Sequence, residues 1–250
     1  MYFLLSGEGA TDLGIGLNPD GISQGDQFLP GPLALVLAAI IEHHQGYSPA
    51  DTGHWGWVPE SMLANHGEKG FRFVGKKRDQ ETTEFYRNAR ALARIAREKL
   101  REPGTEDEIV VVLFHDTDGS RSARRGNWTS KRRSMLDGFA EEGLATGVPM
   151  IPKPKSEAWI LCALHHHQHG CDPLESRSGN DRSPNSLKGE LESRLAATGR
   201  SPTREDLCEM VHDGGIDWRR IRMPSFDAFY FRLREAIGAD QPGDDLGSRR

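Results

Sequence analysis

The fold follows from residues 110–120, which have the sequence VVVLFHDTDGS. The unbroken apolar run predicts a strand at 109–114 that is buried on both faces, as in parallel sheets covered by helices. The run leads into Asp116 and Asp118, which lie two residues apart and therefore project to the same side of an extended strand end. We predict a central strand whose carboxyl end carries a pair of acids.

The beginning of the chain has a similar arrangement. Residues 2–5 are continuously apolar and predict a second buried strand, and the segment SGEGATD at 6–12 places Glu8 and Asp12 directly after it. Ligands of open parallel sheets bind beyond the carboxyl ends of the strands, so the acids after both strands are expected to meet at one site. A solvated turn is the alternative at each place, because D-x-D-G and glycine-rich segments are common in loops.

Strand and helix patterns alternate through the chain, which predicts an α/β fold with a mostly parallel sheet flanked by helices and a helical C-terminal extension. A further short strand is predicted at 148–151. Most of the region from about 15 to 80 lacks a clear period and is interpreted as an irregular insertion, in which Trp55 and Trp57 pack into the core. Helices are predicted at 32–45, 80–101, 128–143, 156–166, 186–197, 203–212 and 225–237.

Length and charge limit the class of protein. The 250 residues suit one large α/β domain, or such a core with a helical appendix. The net charge of −5 excludes a basic coat for nucleic acid, so any contact with a polyanion must come from local patches. We predict a core over 1–166 that includes the insertion at about 15–80, a helical extension over 167–237 and a flexible tail over 238–250.

The sequence shows no sign of export or of a membrane span. The first residues, MYFLL, lack the basic segment of a signal peptide, and no apolar stretch approaches the roughly 18 residues that a transmembrane helix needs. The three cysteines, Cys162, Cys171 and Cys208, have no paired spacing, so we expect no disulfide framework and a reducing compartment. We therefore predict a cytoplasmic protein.

A third charged segment is PKPKSEAWIL at 152–161, between the predicted strand and the next helix. Glu157 is expected in the first turn of that helix, where the helix dipole favours a negative charge, so capping is one explanation for it and metal binding is the other. Lys153 and Lys155 follow the strand end, where they either contact a phosphate or are simply solvated.

A basic segment, RSARRGNWTSKRR at 121–133, follows the D-x-D pair. Six cations without an acid favour contact with a nucleic-acid backbone, and an indole among them is available for stacking on a base. A solvated loop and helix face is the alternative. The predicted nucleic-acid-binding residues are Arg121, Arg124, Arg125, Trp128, Lys131, Arg132 and Arg133.

The histidines have a weaker signal. His115 alternates with the two aspartates and is expected to point to the other face of the strand, in the core or behind the site. The cluster HHHQH at 165–169 has neither the C-x-x-C nor the H-E-x-x-H spacing that supports zinc.

In combination, these motifs resemble the Toprim domain. That domain is shared by type IA and type II topoisomerases, bacterial primases, recombination-repair proteins and the overcoming-lysogenization-defect nucleases. In this resemblance Glu8 takes the place of the family glutamate, and Asp116 and Asp118 take the place of the family D-x-D. Asp12 resembles the additional acid of the nuclease branch. Glu157 in SEAW resembles the helix-start acid of small stand-alone Toprim-like proteins of bacterial defence loci.

The resemblance covers 1–14, 109–120 and 148–165, and the closing helix within MPSFDAFYFRLREA at 223–236 is also similar to that of the small proteins. The chain lacks the context of a topoisomerase tyrosine, so strand passage is not expected. It also lacks a Walker A motif, so an ATPase would have to be a separate partner.

The resemblance implies a divalent-metal-dependent nuclease that cleaves DNA or RNA in an anti-phage defence or toxin system. Asp116 and Asp118 would hold one Mg²⁺ or Mn²⁺, because an open loop of oxygen ligands suits these ions better than zinc. Glu8 would bind the same ion or act as general base, and Asp12 with Glu157 would hold a second ion. The catalytic set is completed by the two lysines that would neutralise the departing phosphate, Lys153 and Lys155.

Two other classes remain open at this point. One is a Toprim-like regulatory or interaction subunit that works with a separate ATPase and has no nuclease activity. The other is a small-molecule phosphatase or phosphotransferase, although the D-x-D-x-T pattern of aspartyl phosphatases is not matched in full because Ser120 stands where that pattern has a threonine. The choice between DNA and RNA and the oligomeric state do not follow from the sequence.

Overall fold

The computed structural model describes residues 1–66, 82–102, 108–117, 128–164 and 171–239. The strands are β1 (Tyr2–Gly7), β2 (Gly14–Gly16), β3 (Ser23–Gln24), β4 (Phe28–Pro30), β5 (Trp55–Trp57), β6 (Ile109–Phe114) and β7 (Gly147–Met150). The central sheet has the order β3-β5-β1-β6-β7, in which β1, β5, β6 and β7 are parallel and β3 pairs antiparallel with β5. Strands β2 and β4 form a separate antiparallel ribbon.

The helices occur close to the predicted places. They are α1 (Pro32–Gln45), α2 (Pro49–Thr52), α3 (Glu60–His66), α4 (Thr83–Lys99), α5 (Trp128–Glu141), α6 (Ser156–Leu164), α7 (Asp172–Glu175), α8 (Leu187–Ala196), α9 (Arg204–His212) and α10 (Pro224–Ala236). The predicted α/β class, with a mostly parallel sheet flanked by helices, is confirmed. Most of the predicted tail at 238–250 and the whole histidine cluster at 165–169 lie outside the described residues.

Alternate residues of β1 enter two different layers. Phe3 and Leu5 pack with helices α1, α6, α8, α9 and α10 on one face of the sheet. Tyr2 and Leu4 pack with α3, α4 and α5 on the other face. All residues of β1 and β6 are buried, which explains why both sequences are continuously apolar except at the end of β1.

The end of β1 requires a glycine. Gly7 pairs with Phe114 in the parallel register of β1 and β6, and its φ angle is 154°. A side chain at Gly7 would collide with the carbonyl and the Cβ of Phe114. The close approach of the two strand ends therefore depends on this glycine, and it brings the segments after both strands together.

The prediction of an irregular insertion over 15–80 is wrong in part. Strand β5 lies within it and pairs parallel with β1, with Phe3 opposite Trp55 and Leu5 opposite Trp57. Both tryptophans are buried, as predicted, and both rings contact Phe28. A strand of only three residues, with histidine, glycine and proline close to it in the sequence, is too short to show a period. Its place in the sheet comes from long-range packing.

The cysteine prediction is also wrong. Cys162 at the end of α6 and Cys171 before α7 form a disulfide, while Cys208 is a free thiol. The pair was not visible in the sequence because both cysteines are held by a distant residue, Arg222, whose carbonyl accepts from the Cys171 N–H and whose N–H donates to the Cys162 sulfur. No helix among the described residues is long and apolar enough to cross a membrane.

Helix α10 also covers the outer side of the last strand. The guanidinium of Arg232 donates through Nε to the carbonyl of Gly147 at 2.8 Å and through a second nitrogen to the carbonyl of Ala145. Pro149 lies on the same strand.

Candidate active site at the carboxyl ends of β1 and β6

The strand order changes direction at one position. The connection from β1 to β5 runs through α1 on one face, whereas the connections before and after β6 run through α3, α4 and α5 on the other face. Open α/β sheets bind their ligands beyond the carboxyl ends of two neighbouring strands that lead to opposite faces, and we call this place between β1 and β6 the crevice. Glu8 follows β1 directly, and Asp116 stands two residues after β6.

Glu8 is held by groups at the end of β6. Its Oε1 accepts a hydrogen bond from the backbone N–H of Asp116 at 3.0 Å and another from Nδ1 of His115. Burial raises the pKa of Glu8, but the hydrogen bond and positive charge of His115, the Asp116 N–H and the charge of Lys131 together hold it below the ordinary value. Glu8 is therefore a fixed, ionised carboxylate that is still about a third exposed, at 37 %.

Asp116 connects β6 to the start of α6. Its Oδ1 accepts a hydrogen bond from the backbone N–H of Ser156 at 3.0 Å, so it caps a helix that begins 40 residues later. The loop after β6 is fixed in the same way, since the Thr117 N–H donates to the Pro154 carbonyl at 3.1 Å. The carboxylate therefore has both a structural role and a place in the crevice.

Asp12 approaches from the first loop. A turn closed by hydrogen bonds from the N–H groups of Asp12 and Leu13 to the Gly9 carbonyl directs it toward Ser156. Burial raises the pKa of Asp12 to about 6, and the negative charge of Glu157 adds to this effect against the hydrogen bonds of Ser156 and Thr11 and the charge of Lys155.

Ser156 is the point at which these acids meet. It is 3 % exposed, its N–H bonds Asp116, its hydroxyl lies 3.3 Å from Oε2 of Glu157, and its side chain also bonds Asp12. Through Asp116 the same network reaches Glu8. Four acids from three separate parts of the chain are thus linked through one buried serine, which we call the Ser156 network.

The two predicted phosphate-binding lysines have different positions. Lys155 is largely buried and lies 2.7 Å from Asp181 and 3.7 Å from Glu157, so it belongs to the Ser156 network. Lys153 is 43 % exposed and lies 3.6 Å from Glu175. Because Glu175 also accepts a hydrogen bond from the N–H of Ser225, Lys153 faces the start of α10 in this structure rather than the acids.

The residues of the predicted nucleic-acid segment at 121–133 have different positions. Three of its cations, Arg121, Arg124 and Arg125, lie outside the described residues, as does Asp118 before the segment. The indole N–H of Trp128 donates to the Ile151 carbonyl at 2.8 Å, and the ring is half-buried, so its edge is anchored to the protein.

The remaining cations of this segment also differ from the expectation of an exposed arm. Lys131 is 1 % exposed and points inward, because α5 begins at Trp128 and turns this residue toward the crevice. Arg132 is half-buried beside Arg232 and Glu235, and burial together with Arg232 lowers its pKa. Arg133 is exposed and is in a position to contact a polyanion.

Sequence reasoning missed several neighbours of Glu8. His115 was expected to point away, but its ring bonds Glu8 and lies 4.3 Å from the ring of Phe85. Burial raises the pKa of Glu60 at the start of α3, and the charges of Glu8 and Glu84 raise it further against the charge of His115. Neither glutamate belongs to a motif, and only the packing of α3 and α4 beside β6 brings them near the site.

The chemistry of the donors suits a hard divalent cation. The acids are oxygen donors, and buried carboxylates close to one another favour the uptake of a cation or a proton, as the raised pKa of Asp12 shows. Within the described ranges, no three residues of the types His, Cys, Asp and Glu already form a metal-binding group. The second acid of the D-x-D pair, Asp118, lies outside those ranges.

Comparison with known proteins adds no relative. The chain matches no family model, no curated protein and no solved structure. The interpretation of this site therefore rests on its residues and on the motifs that resemble the Toprim domain.

Proposed function

We propose that the protein is a divalent-metal-dependent nuclease of the Toprim type that hydrolyses phosphodiester bonds in DNA or RNA. The observation that carries this proposal is the Ser156 network, which links Glu8, Asp12, Asp116 and Glu157 at the crevice between β1 and β6. A cluster of partly buried carboxylates at the switch point of a parallel sheet is a frequent place for metal-assisted phosphate chemistry.

Each residue has a role in this proposal. A bound Mg²⁺ or Mn²⁺ would hold the phosphate and activate water. Asp116 and Asp118 would hold that ion, while Asp12 and Glu157 would complete its coordination or hold a second one. Glu8, fixed by His115 and by the Asp116 N–H, would bind the ion or accept a proton from water.

The substrate and setting are part of the same proposal. Lys155 is placed to neutralise a phosphate beside Glu157, and Arg133 with the cations of 121–125 would contact the nucleic-acid backbone. We place the protein in an anti-phage defence or toxin system in the cytoplasm, with a separate ATPase as a partner. The Cys162–Cys171 disulfide is typical of an oxidising compartment and argues against a reducing one.

A second candidate function has its own supporting observation. Glu8 and Asp116 already accept hydrogen bonds that hold the strand ends and α6 together. A Toprim-like interaction subunit would keep these acids for stability alone and would leave cleavage to another protein.

Two isosteric variants separate the candidates. In Glu8→Gln the amide oxygen can still accept from the Asp116 N–H, and in Asp116→Asn it can still accept from the Ser156 N–H, so both variants keep the structural bonds and lose only the charge. For a nuclease we expect each to lower cleavage at least about 100-fold, since a metal ligand or a general base is lost. The matched control is Glu209→Gln, an exposed acid that pairs with Arg200 away from the crevice.

The assay follows cleavage of plasmid DNA, single-stranded DNA and a tRNA mixture with Mg²⁺, Mn²⁺ or a chelator. Metal-dependent cutting that persists in Glu209→Gln and disappears in both crevice variants supports the nuclease and identifies its substrate. Absence of cutting by the native chain, together with absence of Mn²⁺ binding in calorimetry, would rule out the metal site and favour the interaction subunit.

A further inference from the structure

We infer that Lys131 is a positioning residue of the crevice, where its fixed ammonium charge offsets the acids around Glu8 and its hydrogen bond holds the turn after β6. The inference rests on the proposed function and assigns Lys131 to the reaction instead of to an exposed nucleic-acid arm. The first observation is the burial of Lys131, whose side chain lies in a residue that is only 1 % exposed. Removal of an ammonium from water costs free energy unless groups inside the protein compensate its charge.

The contacts of Lys131 explain its direction. Its Nζ donates to the carbonyl of Thr117, the residue between the two acids of the D-x-D pair. The same ammonium lies 5.0 Å from the centre of the Phe85 ring, a cation–π contact. The Phe85 ring is also in contact with His115, which bonds Glu8, so one aromatic ring lies against both of these side chains beside that acid.

Geometry holds the charge of Lys131 close to the acids. The Thr117 carbonyl to which its ammonium donates is one residue from Asp116, whose N–H donates to Glu8. Hydrolysis of a phosphodiester adds negative charge to the oxygens around the reacting phosphorus, and a cation held in place before the reaction needs no reorganisation to offset that charge. A methionine would fill the same space beside Phe85, so packing alone does not require a lysine here.

A second lysine in the same layer provides a matched control. Lys99 on α4 lies 4.9 Å from the centre of the Tyr2 ring, and its side chain is 11 % exposed. It also forms a weak ion pair with Glu102 at 4.0 Å. Tyr2 begins β1, so Lys99 makes the same kind of cation–π contact at the opposite end of the strand from Glu8.

The first measurement compares Lys131→Met, Lys131→Arg and Lys99→Met in steady-state cleavage, with rates corrected for the folded fraction from circular dichroism. For Lys131→Met we expect kcat to fall about 10- to 100-fold and KM to stay within about twofold, because a buried group supports the reaction without binding the substrate. Lys131→Arg should recover part of the loss, and Lys99→Met should keep the native kcat. If Lys131→Met does not fold, Lys131→Gln takes its place.

The second measurement is independent of turnover and titrates the metal-free proteins with Mn²⁺ in a calorimeter. Removal of a positive charge near the acids should tighten Mn²⁺ binding in Lys131→Met several-fold, because like charges repel. Lys131→Arg and Lys99→Met should bind as the native chain does. A variant that binds the ion more tightly and yet cuts more slowly is not explained by loss of folding.

The outcomes distinguish this inference from the proposed function. If the native chain cuts and binds Mn²⁺ but Lys131→Met behaves like Lys99→Met in both measurements, Lys131 is structural and only this inference fails. Unchanged or weaker Mn²⁺ binding in Lys131→Met also overturns it. If the native chain neither cuts nor binds Mn²⁺, the proposed function fails and this inference fails with it.

Discussion

The molecule contains two clusters of charge with opposite balance. Between α4 and α5, Glu142 lies 2.7 Å from the Nε atoms of both Arg90 and Arg94 and 3.7 Å from Arg97. Burial raises the pKa of Glu142, but the bonds and charges of Arg90 and Arg94 outweigh it and leave the pKa below its ordinary value. In the Ser156 network, by contrast, burial and Glu157 raise the pKa of Asp12 to about 6.

This difference distinguishes a cluster that is complete from one that can accept a ligand. One acid with three guanidinium groups is neutralised by the protein itself, and its role is to join two helices. In the crevice, the described acids outnumber the described lysines. Glu8, Asp12, Asp116 and Glu157 lie near Lys131 and Lys155, and Lys155 is shared with a further acid, Asp181. Both clusters lie in the same fold, so it is the charge balance, rather than the number of acids, that indicates a site for a cation.

The largest effect on stability is expected at the complete cluster. Glu142→Gln leaves three guanidinium groups close together around a neutral amide, and we expect the free energy of unfolding to fall by about 1–3 kcal/mol without a change in cleavage rate. Urea unfolding followed by circular dichroism measures the loss. The control is Glu141→Gln, an exposed neighbour, and an equal effect of the two variants would contradict the role of Glu142.

A smaller effect of opposite sign is expected at the Ser156 network. The pKa of Asp12 rises from 3.8 in the unfolded chain to about 6 in the folded one, so folding favours the protonated carboxyl. Its contribution to the free energy of unfolding is therefore fully present below about pH 4 and is lost as the pH rises through 6. Asp12→Asn should therefore be more stable than the native chain at pH 7.5 in chelator. The expected gain is about 1–2 kcal/mol, allowing for partial exposure, or a few degrees in Tm.

Two comparisons check this prediction for Asp12. The difference in Tm between the two proteins should shrink as the pH falls from 7.5 through 6, and it should nearly vanish at about pH 3, where the native carboxyl is mostly protonated in both states. Addition of Mg²⁺ at pH 7.5 should raise the Tm of the native chain more than that of Asp12→Asn. A variant that is less stable than the native chain at pH 7.5 would show that the charge of Asp12 is already compensated.

The smallest effect is expected at Glu60. Burial and the charges of Glu8 and Glu84 raise its pKa, but the residue is exposed, so Glu60→Gln should stabilise the protein by only about 0.5 kcal/mol or less at neutral pH. The difference in Tm between the two proteins should vanish at pH 4. A clear loss of stability at neutral pH would mean that Glu60 forms a bond on which α3 depends.

Much of the fold could be predicted because its strongest signals are local. The unbroken apolar runs of β1 and β6 and the periodic face of α4 identify these elements without any knowledge of their partners. Strand β5 and the Cys162–Cys171 bond could not be found in this way. A three-residue strand and a pair of cysteines nine residues apart acquire their meaning only from contacts with distant parts of the chain.

The site shows the same division. Glu8, Asp12 and Asp116 were identifiable because each lies in the short segment after a strand, and strand ends are where a parallel sheet binds its ligands. The positions of Lys131 and His115 depend instead on how α5 and β6 meet Phe85. The charge of Lys131 suggested an exposed arm, and the alternation of His115 with the two aspartates suggested the other face of the strand, in the core or behind the site.

The outer side of β7 has a consequence for association between molecules. The Thr146 carbonyl accepts a hydrogen bond from the Val111 N–H of β6. Because backbone groups alternate in direction along a strand, those of Ala145, Gly147 and Pro149 point away from the neighbouring strand β6. Arg232 occupies the first two carbonyls, and proline has no N–H to offer. An open strand edge presents backbone groups with which a strand of another chain can pair, and this pairing leads to aggregation. Here α10 and one proline leave few such groups on the outer edge of β7.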